Sequence, residues 1–266
     1  MKNINFYFII SFTILLVLFS SGCNEKQLSE EINDEVRELT VAAASDLTLA
    51  FTEVGKLFEE ETNSKITFSF GSTGQLADQI EHGAPFDIFA AANIDFVDNL
   101  REKNLIIPDT QTTYAFGRIG VTTVPDSTTI EIETLEDLLK PEVVKIAIAN
   151  PEHAPYGLAA KQALETAGLW DQVEHKLVFG RNISETLTFI ETKNAEAGII
   201  ALSLYKEGEV NFHLIDDALH APLEQSIAVI NRTNEVDLAI EFINFIKGPI
   251  GKPIMEDYGF IVPGDK

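Results

Sequence analysis

Four junctions in the chain place hydrogen-bond donors where a short β-type run gives way to a helical one. They are Ala43-Ala44-Ser45-Asp46, Gly71-Ser72-Thr73-Gly74, the stretch from Asn150 to Gly157, and Arg181-Asn182-Ile183-Ser184. A helix start exposes unpaired N–H groups and the positive end of the helix dipole. Several starts converging form an anion site that needs no Lys or Arg. That matters here, because 19 basic residues stand against 42 acidic ones, a formal net charge of −23. The long-range field repels anions, so capture must rest on short-range donors. Each junction alone also has a plainer reading: Ser, Thr and Asn are ordinary N-caps, and Gly71 and Gly74 suit a turn.

Other chemistries are poorly served. His82, His153, His175, His213 and His220 are scattered and show no zinc spacing. No G-x-S-x-G elbow occurs, and no paired acid and base stands out. Asp46 and Asp87 read as helix-start and loop-bracing residues, and Trp170 and the phenylalanines as core. The acidic balance argues against a nucleic-acid partner, which needs a basic face. One Cys and two Met exclude a disulfide scaffold. These residues give little support to an enzyme, and the expectation is a protein with no cofactor and no side chain ligating a metal directly, a secreted enzyme staying a distant alternative.

The elements that must position the junctions follow from periodicity. With 45% apolar residues, the 266-residue chain can fill the core of one large or two medium domains. Strand-type runs occur at Leu39–Ala43, Lys65–Phe70, Asp87–Ala91, Ile119–Val124, Lys145–Ala149, Leu177–Phe179, Ala197–Ala201 and Ser226–Ile230. Between them lie helical stretches, the clearest carrying Leu47, Ala50, Phe51, Val54, Leu57 and Phe58 on one face. Asn182 with Glu185 spells a capping-box start, and Thr134 with Asp137 opens a short helix that Pro141 ends. Strands alternating with helices predict mixed, mostly parallel sheets covered by helices, in two α/β units. Clefts between such units are where ligands bind.

The N-terminal stretch obeys different rules. Lys2 is the only charge before residue 23, and Phe6–Phe19 is almost wholly apolar, too short to span a bilayer but right for a signal peptide. Ser20-Ser21-Gly22-Cys23 then resembles a bacterial lipoprotein signal, with Ser20 where that pattern usually has Leu. The resemblance implies cleavage after residue 22 and lipid on Cys23, which would hold the protein on the outer face of the membrane or in the periplasm. Residues 23–37 are polar and acidic and read as a tether.

The body resembles the molybdate-binding proteins of ABC transporters. The resemblance rests on Ala42-Ala43-Ala44-Ser45-Asp46-Leu47, Phe70-Gly71-Ser72-Thr73-Gly74-Gln75-Leu76-Ala77 and Gly83-Ala84-Pro85-Phe86-Asp87-Ile88. It continues in order through Asn150-Pro151-Glu152-His153-Ala154-Pro155-Tyr156-Gly157, Ala197-Gly198-Ile199-Ile200-Ala201-Leu202-Ser203, Phe245-Ile246-Lys247-Gly248-Pro249 and Tyr258-Gly259-Phe260. It implies a two-lobed type II periplasmic-binding-protein fold with a central cleft. One lobe would hold residues 38–117 with 223–266, the other 118–222, and hinge crossings would fall near 112–119 and 221–226. The ligand implied is molybdate or tungstate, the partners an ABC permease and its ATPase, and the protein a monomer. The implied donors are the Ser45 hydroxyl and N–H, a pair from the Gly-Ser-Thr-Gly turn (Thr73 rather than Ser72, both kept), and the N–H groups of Tyr156 and Ile183. Some family members add a Tyr hydroxyl where this chain has Ala201, leaving Ser203 and Tyr205 as candidate compensating donors. The other readings are the same fold binding sulfate, phosphate or an organic anion and, more distantly, a secreted α/β enzyme.

Overall fold

The computed structural model describes residues 36–125 and 131–264. The signal segment, Cys23 and most of the tether lie outside the described residues, and the body from Val36 forms one compact unit. The chain opens with β1 (Glu38–Ala44), a single 3₁₀ turn at Ser45–Leu47, and helix α1 (Thr48–Thr62). Helix α1 buries Ala50, Phe51, Val54 and Phe58, and stops at Asn63, which takes the left-handed conformation that Asn tolerates. Then come β2 (Lys65–Gly71), α2 (Thr73–Glu81), β3 (Ile88–Ala91), α3 (Ile94–Glu102), β4 (Thr112–Gly117) and β5 (Ile119–Thr123). A second βαβαβ run follows: β6 (Ile146–Ala149), α4 (Pro155–Thr166), α5 (Trp170–Val173), β7 (Leu177–Gly180), α6 (Ile183–Glu191) and β8 (Ala197–Ala201). The chain closes with β9 (Asn211–Leu214), β10 (Leu223–Val229), α7 (Val236–Lys247) and α8 (Gly251–Asp257).

The ten strands form two five-stranded sheets, β2-β1-β3-β10-β4 and β7-β6-β8-β5-β9. The sheets share one plan. In each, three strands from a βαβαβ run pair in parallel, and two antiparallel strands complete the edge. The pairings are thus half antiparallel, where the alternating pattern suggested mostly parallel ones. The reason is topological: β10 and β5 are the strands next to the passages between sheets, and each runs against its neighbours. In both sheets the first strand of the run lies between the other two. This is the switch point at whose carboxyl edge open α/β sheets bind ligands.

Two strands have no counterpart in the sequence-based reading. Residues 112–117, expected as part of a hinge crossing, form β4, pinned by β10 on one side and by Ile261, which exchanges two backbone hydrogen bonds with Phe116. The passage between sheets there narrows to Arg118. The second missed strand, β9, pairs with β5, and residues 215–222 return the chain to the first sheet. The helix expected after Thr134 is only a 3₁₀ turn at Glu136–Leu139, with Asp137 bonding the N–H groups of Glu133 and Thr134. Asp87 braces its loop as expected, accepting from the Thr40 N–H and the Thr233 hydroxyl.

Candidate functional site

The shared plan puts four strand-to-helix turns face to face. The turns after β1 and β2 come from the first sheet; those after β6 and β7 come from the second. Between them lies a cavity lined by Ser45, Ser72, Thr73, Tyr156 and Ile183, together with Ala44, Asp46, Gly71, Ala92, Ala154 and Pro155. All five anion-site candidates implied by the resemblance therefore meet at one place, and each is buried. The cavity is small, with room for about one water-sized sphere. No Lys, Arg or His lines it.

The hydroxyls at these turns are not caps. No side chain caps the 3₁₀ turn at Ser45, nor α2, nor α4. Helix α6 is capped by Asn182, but its side chain accepts from Glu185 N, two residues beyond Ile183. The partner half of that capping box is displaced by one residue, since the Glu185 carboxylate accepts from Arg181 N instead of Asn182 N. The amides of Ser45, Thr73, Tyr156 and Ile183 lie in first turns, where no carbonyl of the same helix is in reach. They find no other acceptor among the described residues.

Ser72 and Thr73 use their hydroxyls differently. Ser72 Oγ donates to the His153 carbonyl at 2.6 Å and lies 2.8 Å from His153 Nδ1, so its one proton is spent across the cleft. Thr73 Oγ1 accepts from Ala92 N at 3.2 Å, and its proton has no acceptor among the described residues. The Ser45 hydroxyl likewise has no hydrogen-bond partner among them. Two hydroxyl protons and four amide protons thus surround a cavity without a cation.

Further contacts tie the two sides together. Gly74 N donates to His153 O at 2.9 Å, and Ser184 Oγ to Ser45 O at 2.9 Å. Ser203 Oγ donates to Asp46 O at 2.8 Å, and Arg118 bonds Gly259 O through Nε and Nη2. Gly74 allows the closest approach: a Cβ there would meet His153 O at 2.9 Å.

Comparison with known proteins fixes the lineage of this arrangement. The bacterial extracellular solute-binding protein family matches this chain over residues 39–261. The chain belongs to that family. Solute-binding proteins of this family are not enzymes, and they work outside the cytoplasm. The molybdate-binding protein ModA of Rhodobacter capsulatus is 33% identical over 227 residues, 84% of this chain and 88% of that protein. A Bacillus subtilis protein described as a putative ABC transporter substrate-binding lipoprotein, YvgL, is 29% identical over 95% of this chain and 96% of its own length. Among solved structures, the periplasmic molybdate-binding protein of Azotobacter vinelandii superposes with a TM-score of 0.80, covering 85% of this chain and 100% of that one at 24% identity.

Within this solute-binding protein, two candidate donors fall away from the cavity. Ser203 spends its proton on the Asp46 carbonyl, and Tyr205 is exposed against Phe212. Neither compensates for Ala201, which is fully buried at the end of β8. Asp46 lies in a first turn, as its helix-start reading had it, and its carboxyl joins a buried network as well. The Asp46 side chain is fully buried and caps nothing. Its Oδ2 accepts from Gln225 Nε2 at 2.6 Å; the same Nε2 donates to the Tyr156 hydroxyl at 3.0 Å, and Gln225 Oε1 accepts from the Tyr114 hydroxyl at 2.7 Å. Burial, the largest cause, pushes Asp46 up to about 6, while bonds from Gln225 and Tyr156 pull the other way. Burial beside Asp46 also holds the Tyr114 and Tyr156 hydroxyls well above their ordinary range, so both stay neutral. No sequence signal marked this network: Gln225 stands between two other polar residues of β10, Glu224 and Ser226.

Proposed function

We propose that this protein captures molybdate or tungstate outside the cytoplasm and delivers it to an ABC permease driven by its ATPase. The observation that carries the reading is the ring of six donor protons without an acceptor around a cavity that holds no cation. A buried dianion is costly unless its oxygens are hydrogen-bonded, and bonds to a charged acceptor are the strong kind. The oxygens of the oxyanion accept these bonds, and the metal itself touches no side chain. The small cavity supports a single compact ion over an organic anion, and the relatives named molybdate-binding support the choice of ion. No group of three His, Cys, Asp or Glu residues that could hold a bare metal ion occurs among the described residues.

Capture follows from the two-sided site. Donors at Ser45 and Thr73 belong to one sheet and those at Tyr156 and Ile183 to the other, so only the closed form offers all of them at once. An anion bridging the two stabilises that form by its differential affinity for it. Opening at Arg118 and residues 215–222 releases the anion to the permease. Lipid on Cys23 would keep the monomer beside that permease, as the YvgL description supports. Titration calorimetry with molybdate, tungstate and sulfate tests the reading. One-to-one binding of the first two with sulfate silent is expected; sulfate binding equally well, or no binding by any, overturns the ligand assignment.

A further inference from the structure

We propose that Asp46 joins the oxyanion site as a neutral acid, taking up one proton from solvent as the anion binds, with Oδ1 carrying that proton. This rests on the oxyanion reading above.

Geometry carries the proposal. Asp46 lines the same cavity as the donors and is completely shielded from solvent. Its two oxygens are not equivalent. Oδ2 is held by Gln225 and the Tyr156 hydroxyl also acts on the carboxyl, whereas Oδ1 is buried with no partner at hydrogen-bond distance among the described residues. A buried carboxylate oxygen left without a donor is expensive, and a dianion placed beside an ionised carboxylate adds like-charge repulsion in a poorly screened place. Protonation removes both costs. The O–H formed is a donor, and the anion brings the acceptor that the protein does not supply. A site in which Ala201 offers no hydroxyl thereby gains one from a carboxylic acid.

The surroundings leave no competing source of charge compensation. The groups packed around Asp46 are Tyr114 from β4, Tyr156 from α4, Gln225 from β10 and the Ser203 hydroxyl from the turn after β8. The two tyrosines are the titratable members, and both are neutral. No Lys, Arg or His is among the causes that act on the carboxyl. His153 does not line the cavity and is bonded to Ser72.

The sign of the linkage follows. In the protein without anion the carboxyl titrates near 6, and a bound dianion raises that value further. Below about pH 5 Asp46 is already protonated in both states, and affinity is independent of its ionisation. Above about pH 6 the free protein is ionised and must take up a proton to bind, so affinity falls by up to about tenfold per pH unit. An ionised Asp46 would act in the opposite way, accepting a hydrogen bond from a protonated oxyanion such as hydrogen phosphate.

The experiment is calorimetric titration of the full-length protein in detergent with sodium molybdate, in buffers of different ionisation enthalpy. The slope of heat against buffer enthalpy counts protons. The expected result is uptake approaching one proton per anion near pH 7.5, uptake close to none near pH 5, and loss of the uptake in Asp46→Asn. The wild-type slope alone decides the matter if that variant does not fold. Molybdate binding without proton uptake near pH 7.5 overturns this inference and leaves the oxyanion reading standing, as does uptake that survives in a folded Asp46→Asn. Phosphate bound in preference to molybdate, with no uptake, overturns both. A wild-type protein that binds no oxyanion fails the functional reading itself.

Discussion

The two sheets present the cavity with donors of different kinds. The first contributes side-chain hydroxyls from Ser45 and Thr73 beside their own amides. The second contributes the amides of Tyr156 and Ile183, whose side chains belong to the buried core. One half of the site is specified by residue type and the other by the path of the backbone. Side-chain substitution should therefore damage the first half directly, whereas the second should yield only when a turn is forced to move.

The largest effect is expected where that turn has no room. A Cβ on Gly157 would lie 2.1 Å from the Ala149 carbonyl oxygen, a contact with backbone at the end of β6. Gly157→Ala must push the start of α4 away from its strand and carry the Tyr156 amide with it. Overpacking of this kind costs about 3 kcal/mol, or roughly 6–12 °C in Tm for a body of this size. Thermal denaturation should show that loss and calorimetry the loss of binding. A variant that melts normally and binds normally would show that the backbone path of the second half is not constrained.

The hydroxyl half is next. Ser45→Ala and Thr73→Val each remove a donor to a charged acceptor, worth about 1.5–3 kcal/mol, or roughly 10–150-fold in affinity. Thr73→Ser keeps the hydroxyl and should restore most of the loss, which Thr73→Val should not. Equal binding by Thr73→Val and wild type would move the donor role to Ser72 and require its bonds to His153 to break.

How much of this was open to a reader of the sequence follows the same division. Ser45 and Thr73 announce themselves by type at a strand end, and the alternation of strands with helices pointed to the two βαβαβ runs. Tyr156 and Ile183 carry no sign of their role, because any residue supplies an amide; resemblance, not chemistry, pointed to them. Strand β4 was passed over although Thr112, Thr113, Tyr114 and Phe116 are all strand-favouring types; what completes it is antiparallel pairing with β10, far along the chain. Asp46 does stand at a helix start, as its type suggested; what the sequence could not show is the approach of Gln225, far along the chain, to its buried carboxyl.

Closure couples the two halves, and Gly74 tests it without touching either donor set. Its amide meets His153 O, and an added Cβ would press on that carbonyl at 2.9 Å. Gly74→Ala should hold the cleft ajar and reduce affinity by about tenfold, through a smaller population of the competent closed form. Small-angle scattering with saturating molybdate should report less compaction than in wild type. Full compaction at unchanged affinity would mean that the sides close without this contact.

The smallest effect is the most discriminating. Ile183 is buried and places its amide at the start of α6, so Ile183→Val trims one methylene from the core while leaving the amide in place. Such a change costs about 1 kcal/mol of stability. Affinity should stay within about twofold, since the hydrogen bond to the anion comes from the backbone and is unaltered. Stability and affinity then part company, the reverse of what Ser45→Ala should show. If Ile183→Val weakened binding by about tenfold instead, side-chain packing would be setting the position of the second half, and the division between a chemical side and a geometric side of the cleft would not hold.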